Sequence, residues 1–470
     1  MSEKQELRIS QMKVDKVPEM NYIIEKKEDR KDRVTQFLEI FATVLKHSNY
    51  RPVLEHYIKV TAKCSRCSVA CHVYQATGDP KDIPCYRSEL LLSIYRRYFS
   101  IEGSLYGRFF GGFELTEEHI KEMTESFYRC TACRKCVLEC PMGIDHGMIT
   151  HLARYIMAEM NIVPRALVIS TREQLEGATN NTSAIPFIAL QDSLEFLEEE
   201  IYETHGVKVK FPIDVPNAEY IFFAPVSDYL MEAETLMGIA VVLHKAGVSW
   251  TIGSKYYDAI NYGLFYSDGI LGRVLNMIED ETRRLNAKKV LIGECGHATR
   301  SAWFLPTYWR GDDCPPVVNI LELTHQLWKE GKVKFDPNVI TERVTYHDPC
   351  NIARQGKIVE QPRELIRAFA KDFVEMTPNR TEQYCCGGGG GTVSIDEIRK
   401  FRTAVGGRRK AKQIEDTGAH YVIAPCANCK KQFRETMEDN KIDGELVGLH
   451  DLLFKAIIFD EADKTPPDEE

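Results

Sequence analysis

Apolar residues at helical spacing mark the first regular element of the chain. Between residues 33 and 47 they recur every three or four positions, at Val34, Phe37, Leu38, Phe41, Val44 and Leu45. This spacing predicts an amphipathic helix. Residues 1–32 are rich in charged side chains and lack periodicity, so we interpret them as an extended N-terminal arm. Few strand-like runs occur before residue 165, and the sequence therefore predicts a helical module over 33–165.

The pattern changes after residue 217, where short apolar runs alternate with helical segments. The candidate strands are 220–225 (YIFFAP), 289–294 (KVLIGE), 343–348 (RVTYHD) and 421–426 (YVIAPC). This alternation predicts α/β units with parallel sheets. The second pair of strands resembles the first, which predicts two similar α/β domains over 217–340 and 341–460. A connector at 166–216 would precede them, and an acidic tail at 461–470 would follow.

Composition narrows the class of protein. The chain has 470 residues, 44% of them hydrophobic and 27% charged, and a net charge of −9, values that fit a globular protein. No long basic stripe occurs, so nucleic acid is not expected as a partner. The polar start MSEKQELRIS does not resemble a secretory signal, and no apolar run approaches the ~18 residues of a membrane span. The sequence predicts a cytoplasmic protein that reaches a membrane only through partner subunits.

Cysteine is the most informative residue type. The chain has 15 cysteines, and in a reducing cytoplasm clustered cysteines indicate metal ligands before disulfides. The run C-x2-C-x2-C-x3-C-P, formed by Cys130, Cys133, Cys136, Cys140 and Pro141, is typical of bacterial ferredoxins with two clusters. Three of its thiolates hold one cubane, and the fourth turns away to the other cluster. A zinc site has no need for the cysteine–proline ending.

A second run of cysteines lies upstream and lacks one member. The segment from Thr61 to His72 fits the same spacing if Thr61 stands at the first cysteine position and His72 at the proline position. Cys85 is the nearby cysteine that could supply the missing thiolate. We therefore predict two [4Fe-4S] cubanes, one held by Cys64, Cys67, Cys85 and Cys140, and the other by Cys71, Cys130, Cys133 and Cys136. In the alternative, Cys85 is a buried structural residue and one iron has an open or non-cysteine ligand.

A second group of cysteines lies nearer the C-terminus. It consists of Cys350, Cys385, Cys386, Cys426 and Cys429. Adjacent cysteines can point into one cavity only where the backbone turns sharply, and the five glycines at 387–391 permit such a turn. Gly387 and Gly388 would also let backbone N–H groups approach a bound sulfide or substrate. A phosphate loop is disfavoured because no Lys-Ser or Lys-Thr pair follows the glycines.

The pattern C…CCG…C-x2-C resembles the cysteine-rich CCG domain. Together with GECGHATR, VTYHDPCNIAR, CCGGGGG and APCANC, it resembles the D subunit of heterodisulfide reductase and the heterodisulfide reductase-like subunits of sulfate-reducer membrane complexes. The resemblance covers about residues 60–460. It implies a multidomain α plus α/β fold, with an α-helical ferredoxin-type module followed by two Rossmann-like CCG domains, the first degenerate. It also implies a third, non-cubane [4Fe-4S] cluster that is held by the five cysteines and reduces disulfides.

Three residues near this group are candidates for catalysis. Cys295 follows the matching strand of the first α/β repeat and could bind the cluster, form a mixed disulfide with the substrate, or be structural. His297 and His347 could donate a proton to the leaving thiolate or act as hydrogen-bond donors that tune the cluster. The basic run RRKAK at 408–412 is typical of a solvated helix face, and a docking surface for an acidic partner is the alternative.

The resemblance implies an iron–sulfur oxidoreductase subunit of a membrane-associated respiratory complex. Electrons would pass from an integral-membrane quinone- or haem b-linked subunit through the two cubanes to the non-cubane cluster. There a disulfide or trisulfide of a small DsrC-like sulfur-carrier protein would be reduced during sulfate or sulfite respiration. The chain would lie on the cytoplasmic face of the membrane, held by the other subunits of the complex.

Two alternative functions stay open at this point. The first is an electron-transfer subunit of a glycerol-3-phosphate or glycolate dehydrogenase, or of a transmembrane complex with multihaem cytochromes. The second is a structural relay within a membrane complex, in which the CCG site binds zinc. Metal content separates the second alternative from an iron–sulfur enzyme, because three four-iron clusters require about twelve irons per chain.

Overall fold

The computed structural model describes residues 22–24, 32–106 and 113–464. The chain forms two compact units that are not contiguous in sequence. Among the described residues, the helical unit contains those up to 168 together with 264–268 and 387–409, and the α/β unit contains 169–263, 269–386 and those from 410 onward. Most of the predicted N-terminal arm, and the predicted acidic tail after residue 464, lie outside the described residues.

The helical unit begins with eight helices in the described part of the chain. They are α1 (Arg33–His47), α2 (Tyr50–Val60), α3 (His72–Thr77), α4 (Pro84–Phe99), α5 (Ile101–Tyr106), α6 (Glu117–Tyr128), α7 (Lys135–Leu138) and α8 (His146–Glu159). Two short strands, β1 (Tyr22–Ile24) and β2 (Ile162–Pro164), pair antiparallel. The helix predicted over 33–47 is confirmed with the same bounds.

Aromatic residues fill the core of the helical unit. Phe41 of α1 packs against Phe99 and Tyr95 of α4, with ring centroids 4.8 and 6.2 Å apart. The carboxylate of Asp32 accepts a hydrogen bond from the Thr35 N–H at 2.7 Å and so caps the first turn of α1. The apolar stripe visible in the sequence is therefore the face of α1 that is buried in its own unit.

The α/β unit contains two four-stranded sheets. The first has β3 (Tyr220–Phe223), β4 (Trp250–Thr251), β5 (Lys289–Ile292) and β6 (Val317–Asn319), and the second has β7 (Val344–Tyr346), β8 (Phe373–Glu375), β9 (Tyr421–Ile423) and β10 (Glu445–Val447). All neighbouring strands in both sheets run parallel. If the strands of each sheet are numbered 1 to 4 along the chain, both sheets have the spatial order 2-1-3-4. The four predicted strands are confirmed, each ending two or three residues before its predicted end.

Fourteen further helices follow β2 in the described part of the chain. They are α9 (Arg165–Glu176), α10 (Phe187–His205), α11 (Asp228–Met231), α12 (Ala233–Lys245), α13 (Gly263–Tyr266), α14 (Asp268–Arg284), α15 (Gly296–Ala302), α16 (Leu305–Tyr308), α17 (Ile320–Lys329), α18 (Glu360–Phe369), α19 (Arg399–Phe401), α20 (Arg408–Glu415), α21 (Ala427–Asn440) and α22 (Leu449–Ala456). None of the helices in the described residues is both long enough and apolar enough to cross a lipid bilayer.

The two sheets share one hydrophobic core. Phe222 and Leu291 of the first sheet belong to the same buried cluster as Tyr346 and Ile423 of the second. Helix α12 lies so close to α22 that a Cβ on Gly238 would come within 1.9 Å of the His450 carbonyl oxygen, and only glycine permits such an approach. The segment boundaries that the sequence analysis placed within this unit stay predictions.

Candidate iron–sulfur sites

Two cysteine-bearing loops of the helical unit share one backbone conformation. In the first loop, Lys63 and Ser65 flank Cys64 and have φ values of 49° and 56°. In the second loop, Ala132 and Arg134 flank Cys133 and have φ values of 52° and 57°. Left-handed backbone is uncommon outside glycine, so its repetition at matching positions supports the alignment of the two runs. In that alignment, Thr61 stands where the second loop has a cysteine.

One cavity of the helical unit collects four of the predicted ligands. This cavity, of about 430 Å³, is lined by Cys71, Cys130, Cys133 and Cys136. Cys71 directly precedes α3, and the other three lie between the end of α6 and the end of α7. The backbone N–H of Ala132 donates to the Cys130 Sγ at 3.4 Å. The structure thus brings together the four cysteines that the sequence analysis assigned to one cubane.

A second cavity collects the remaining four. This cavity, of about 280 Å³, is lined by Cys64, Cys67, Cys85 and Cys140, and also by Thr61. Cys85 lies in the first turn of α4, and the Cys67 thiol donates a hydrogen bond to its sulfur, which lowers the pKa of Cys85 to about 6 and raises the pKa of Cys67. The Ser65 hydroxyl lies 3.7 Å from the Cys85 Sγ. Cys85 therefore faces the other predicted ligands.

A buried arginine supplies positive charge beside the first cavity. Arg87 of α4 lines that cavity, donates from Nε to the Ser126 carbonyl oxygen at 2.8 Å, and lies 3.6 Å from the Asp82 carboxylate. Burial lowers the pKa of Arg87, but the negative charges of Cys130, Cys71 and Asp82 outweigh burial and raise it. The guanidinium therefore stays charged, and it offsets the negative charge of thiolate ligands.

A buried histidine lies at both cavities. His146, the first residue of α8, lines each of them. Its Nδ1 lies 2.7 Å from the Ser88 hydroxyl oxygen, and its Nε2 has no hydrogen-bond partner among the described residues. Burial lowers the pKa of His146 to about 4, so the imidazole is neutral near pH 7. A neutral imidazole can donate a hydrogen bond to sulfur from its ring N–H, but it carries no additional proton to give up as an acid.

The glycine run packs against the cysteine loop of the first cavity, within the helical unit. A Cβ on Gly389 would lie 2.4 Å from the Thr131 carbonyl oxygen, and a Cβ on Gly390 would lie 2.7 Å from the Cys130 carbonyl oxygen. The buried Arg154 bridges the same segments, since it donates to the Gly390 carbonyl oxygen at 2.9 Å and to the Cys130 carbonyl oxygen at 2.6 Å. The glycines are therefore required for a close backbone approach, a need that the sequence did not reveal.

The two glycines predicted to serve the cofactor begin this run. Gly387 has a φ of 101°, which provides the sharp turn expected after the paired cysteines. It lines a cavity of about 250 Å³ together with Arg129 and Arg402. The Gly388 carbonyl oxygen accepts a hydrogen bond from the Val393 N–H at 3.2 Å. A role for Gly387 and Gly388 in cofactor binding stays a prediction.

Replacing Gly390 by alanine tests the close packing. Gly390 has a φ of 66°, and Gly78 has a φ of 63° with no atom within 4 Å of its Cβ position. Gly390→Ala therefore adds a clash with Cys130 to the same left-handed strain. We expect it to lower the free energy of unfolding by about 1–3 kcal/mol more than Gly78→Ala does, measured by anaerobic denaturant unfolding. Equal destabilisation by the two variants would contradict the packing argument.

In the α/β unit, two cysteines occupy the same turn in the two sheets. Cys295 follows β5 and directly precedes α15, and Cys426 follows β9 and directly precedes α21. In each turn the cysteine N–H donates to the carbonyl oxygen two residues earlier, that of Gly293 or Ala424, at 2.7 Å. Both cysteines thus lie beyond the carboxyl end of the third strand, beside the point where the strand order reverses. Parallel sheets commonly bind ligands there.

Four thiols of this unit form a continuous line of contacts. Cys295 contacts Cys426, Cys426 contacts Cys429, and the Cys429 Sγ lies 3.4 Å from the Cys386 Sγ. Cys295 and Cys429 donate to the Cys426 sulfur, and the backbone N–H groups of Gly296 and Cys429 add to them, so the pKa of Cys426 lies well below its ordinary value. The same contacts, together with burial, raise the pKa of Cys295 and Cys429. The line is buried throughout.

The other two cysteines of the predicted cluster are positioned by neighbouring turns. Cys350 is half-buried and directly precedes a helical turn at 351–355. Arg354 of that turn donates to the Thr381 carbonyl oxygen at 2.6 Å and to the Gln383 carbonyl oxygen. These bonds hold the chain just before Cys385, which is buried. The segment after Cys350 therefore fixes the approach to the paired cysteines.

The two candidate histidines have different surroundings. A ring nitrogen of His347 lies within 4.8 Å of the Cys386 and Cys429 sulfurs, an arrangement that could also hold a single divalent ion. Burial holds the pKa of His347 well below its ordinary value, so it is neutral and offers a ring N–H. The Nε2 of His297 accepts a hydrogen bond from the Asn261 N–H at 3.1 Å, and burial lowers the pKa of His297 to about 4. Of the two, His347 is the one beside those thiols.

Sequence reasoning missed a buried polar cluster next to the cysteines. The Glu294 carboxylate accepts hydrogen bonds from the His450 N–H at 2.8 Å and pairs with its Nδ1 at 2.6 Å. Burial raises the pKa of Glu294, but His450 outweighs burial and the pKa is lowered. The Glu294 carbonyl oxygen also accepts from the Ala427 N–H at 3.2 Å. Glu294 therefore ties the Cys295 turn to the first turn of α21, and its position directly before Cys295 was the available signal.

Comparison with known proteins finds two family matches. Residues 62–144 match the 4Fe-4S dicluster domain, and residues 344–434 match the cysteine-rich domain named CCG. The chain thus contains a CCG domain, and in this combination of domains it is similar to the D subunit of heterodisulfide reductase. This heterodisulfide reductase D-like chain combines helices and parallel sheets with a ferredoxin-type domain and a CCG domain. Both matched domains support the presence of iron–sulfur clusters.

Curated relatives match along most of the chain. An Hdr-like menaquinol oxidoreductase iron–sulfur subunit of Archaeoglobus profundus is 28% identical over 455 residues, which are 88% of this chain and 81% of that protein. The Hdr-like menaquinol oxidoreductase iron–sulfur subunit 2 of Archaeoglobus fulgidus is 28% identical over 459 residues, 88% and 82% of the two chains. A third relative, the D subunit of the Methanosarcina mazei dihydromethanophenazine:CoB–CoM heterodisulfide reductase, is 23% identical over 409 residues, 84% and 93% of the two chains.

Replacing Cys85 by serine tests the ligand set of the second cavity. We expect Cys85→Ser to remove one cubane signal in electron paramagnetic resonance and about a third of the iron, because one of the three predicted four-iron clusters would lose a thiolate. Cys314→Ser is the matched control, because Cys314 lines neither cavity. We expect the Cys314→Ser protein to keep its full iron content. Unchanged iron in Cys85→Ser would mean that Cys85 does not replace the cysteine missing at Thr61.

Proposed function

We propose that this chain reduces a disulfide or trisulfide to thiols as the iron–sulfur subunit of a membrane-associated respiratory complex. The observation that carries the proposal is the buried line of Cys295, Cys426, Cys429 and Cys386 at the carboxyl ends of parallel strands. A purely structural site has no need for four contacting thiols at the place where parallel sheets bind ligands.

The relatives support a place in a membrane complex. Two are named as menaquinol oxidoreductase subunits and one as a heterodisulfide reductase subunit. We infer that this chain likewise receives electrons from an integral-membrane quinol- or haem b-linked subunit on the cytoplasmic face. Within this class, we propose a protein like the K subunit of the dissimilatory sulfite reductase-linked membrane complex of sulfate reducers. Its substrate would then be the paired cysteines of a small sulfur-carrier protein.

The donor sets fit three iron–sulfur clusters. Thiolates are the ligands that such clusters use, and each cavity of the helical unit is lined by four cysteines. We assign Cys350, Cys385, Cys386, Cys426 and Cys429 to the third, non-cubane cluster. When bound, these clusters supply electrons one at a time to a reaction that needs two.

Two residues beside the third site can donate hydrogen bonds to the thiolates that the reaction releases. Cleavage of an S–S bond by two electrons releases two thiolates, which take up two protons to become thiols. Cys295 lies outside the five-cysteine set and holds a proton at Sγ, because burial and its contact with Cys426 raise its pKa. His347 holds a proton on a ring nitrogen near Cys386 and Cys429. We propose that these two groups donate hydrogen bonds to the released thiolates, which take up their two protons from water.

The separation of the sites allows a direct test with Cys385→Ser. We expect this variant to lose reduction of an oxidised small sulfur-carrier protein by reduced methyl viologen, while both cubane signals in electron paramagnetic resonance persist. Its iron content should fall by about four atoms from about twelve. Cys314→Ser serves again as the control.

Three results would contradict the proposal. Undiminished thiol formation by Cys385→Ser would exclude a catalytic role for the CCG site. Zinc with about eight irons in the wild-type protein would favour a structural relay. Three ordinary cubanes with no thiol formation would favour an electron-transfer subunit of a dehydrogenase.

A further inference from the structure

The basic run at 408–412 does not form a uniformly solvated helix face. Helix α20 buries Lys410 completely, whereas the side chain of Lys412 on the same helix is 70% exposed and pairs with Asp416. Burial of a lysine is costly unless its charge is compensated. The position of Lys410 therefore requires a source of negative charge inside the α/β unit.

Two side chains hold the Lys410 ammonium in place. Its Nζ donates to the Gln413 Oε1 and lies 3.8 Å from the Met376 Sδ. Gln413 is itself fixed, because its Nε2 donates to the Pro378 carbonyl oxygen at 2.6 Å. Both contacts are to uncharged groups, so they position the ammonium without neutralising it.

No carboxylate within the described residues forms an ion pair with Lys410. The acid that acts on it through space is Asp348, and both oxygens of Asp348 already accept hydrogen bonds from the Arg363 guanidinium at 2.7 Å. The other buried lysine near the cysteines, Lys430, lies 3.3 Å from Glu232. Lys410 is thus a buried ammonium that no carboxylate of the described residues pairs with, so its charge has to be balanced by another group.

Besides Asp348, the groups that act on Lys410 through space are cysteines of the CCG site. Burial lowers the pKa of Lys410 to about 8, and the charges of Cys386, Cys385 and Cys429 act to raise it. The positive charge of Lys410 also contributes to the low pKa of His347, which lies beside Cys386 and Cys429. Lys410 is therefore electrostatically coupled to the paired cysteines and to the first turn of α21.

We propose that Lys410 is the fixed positive charge that raises the reduction potential of the CCG site. The inference rests on the proposed function only in that these thiols hold a redox-active iron–sulfur group. An electron entering the site adds negative charge near the ammonium, and the attraction between the two favours the reduced state. Lys410 is a positioning residue in this role, because it acts on the site through charge.

Redox titration of the intact protein, followed by electron paramagnetic resonance, tests the proposal. Lys410→Met removes the charge and leaves an apolar side chain of similar length. We expect it to shift the one-electron equilibrium of the CCG site about tenfold toward the oxidised state, which is about 59 mV to lower potential. The potentials of both cubanes should stay unchanged. Lys412→Met removes the same charge from an exposed position of the same helix and should leave all three potentials unchanged.

An unchanged CCG potential in an iron-replete Lys410→Met protein would overturn the inference. Should that variant lose iron, Gln413→Glu takes its place, because it keeps the size of the side chain and sets a carboxylate against Nζ. An unchanged potential in Gln413→Glu would overturn the inference equally. The proposed function fails separately, when the wild-type protein holds no iron at Cys385, Cys386 and Cys429.

Discussion

A sulfur atom that loses its proton inside a protein needs positive charge or N–H groups around it, and this requirement governs the cysteine-bearing turns of this chain. Cys426 meets it at the start of α21, where two thiols and two backbone N–H groups point at its sulfur. In the helical unit, Arg87 meets it beside the first cavity. The α/β unit adds Lys410. In both units, buried sulfurs are thus accompanied by a buried cation.

Two local backbone conformations each occur twice in the chain, with different residues at the corresponding positions. The paired left-handed residues around Cys64 and Cys133 give the two ferredoxin-type loops the same path, although Thr61 replaces a cysteine in one of them. The turns that contain Cys295 and Cys426 have the same 2.7 Å hydrogen bond and follow equivalent strands of sheets with one strand order. The backbone conformation is thus kept in each pair, even where Thr61 stands in place of a cysteine.

The spacing of residues in the sequence was sufficient to predict several of the strands, the first helix and most of the cysteine sets. Strands β3, β5, β7 and β9 and helix α1 follow from periodicity. Seven of the eight cysteines that line the two cavities follow from the ferredoxin spacing, and Cys85 was assigned because it is the nearby cysteine that could replace the one missing at Thr61. Lys410 could not be found in this way, because a buried lysine inside a basic run has the same local pattern as a solvated one. The tight fit of Gly390 against Cys130 depends on residues far apart in the chain, and no local pattern carries that information.

The seven residues from Cys385 to Gly391 contribute to both units of the chain. Its first two residues belong to the thiol group of the α/β unit, and its glycines, from Gly387 onward, belong to the helical unit, where Gly389 and Gly390 meet the backbone of the cysteine loop. A residue inserted or deleted between Gly387 and Gly389 would move Gly389 out of register with Thr131 inside the helical unit. In the divergence of such proteins, this stretch is therefore constrained in length as well as in composition, and changes of loop length have to accumulate elsewhere.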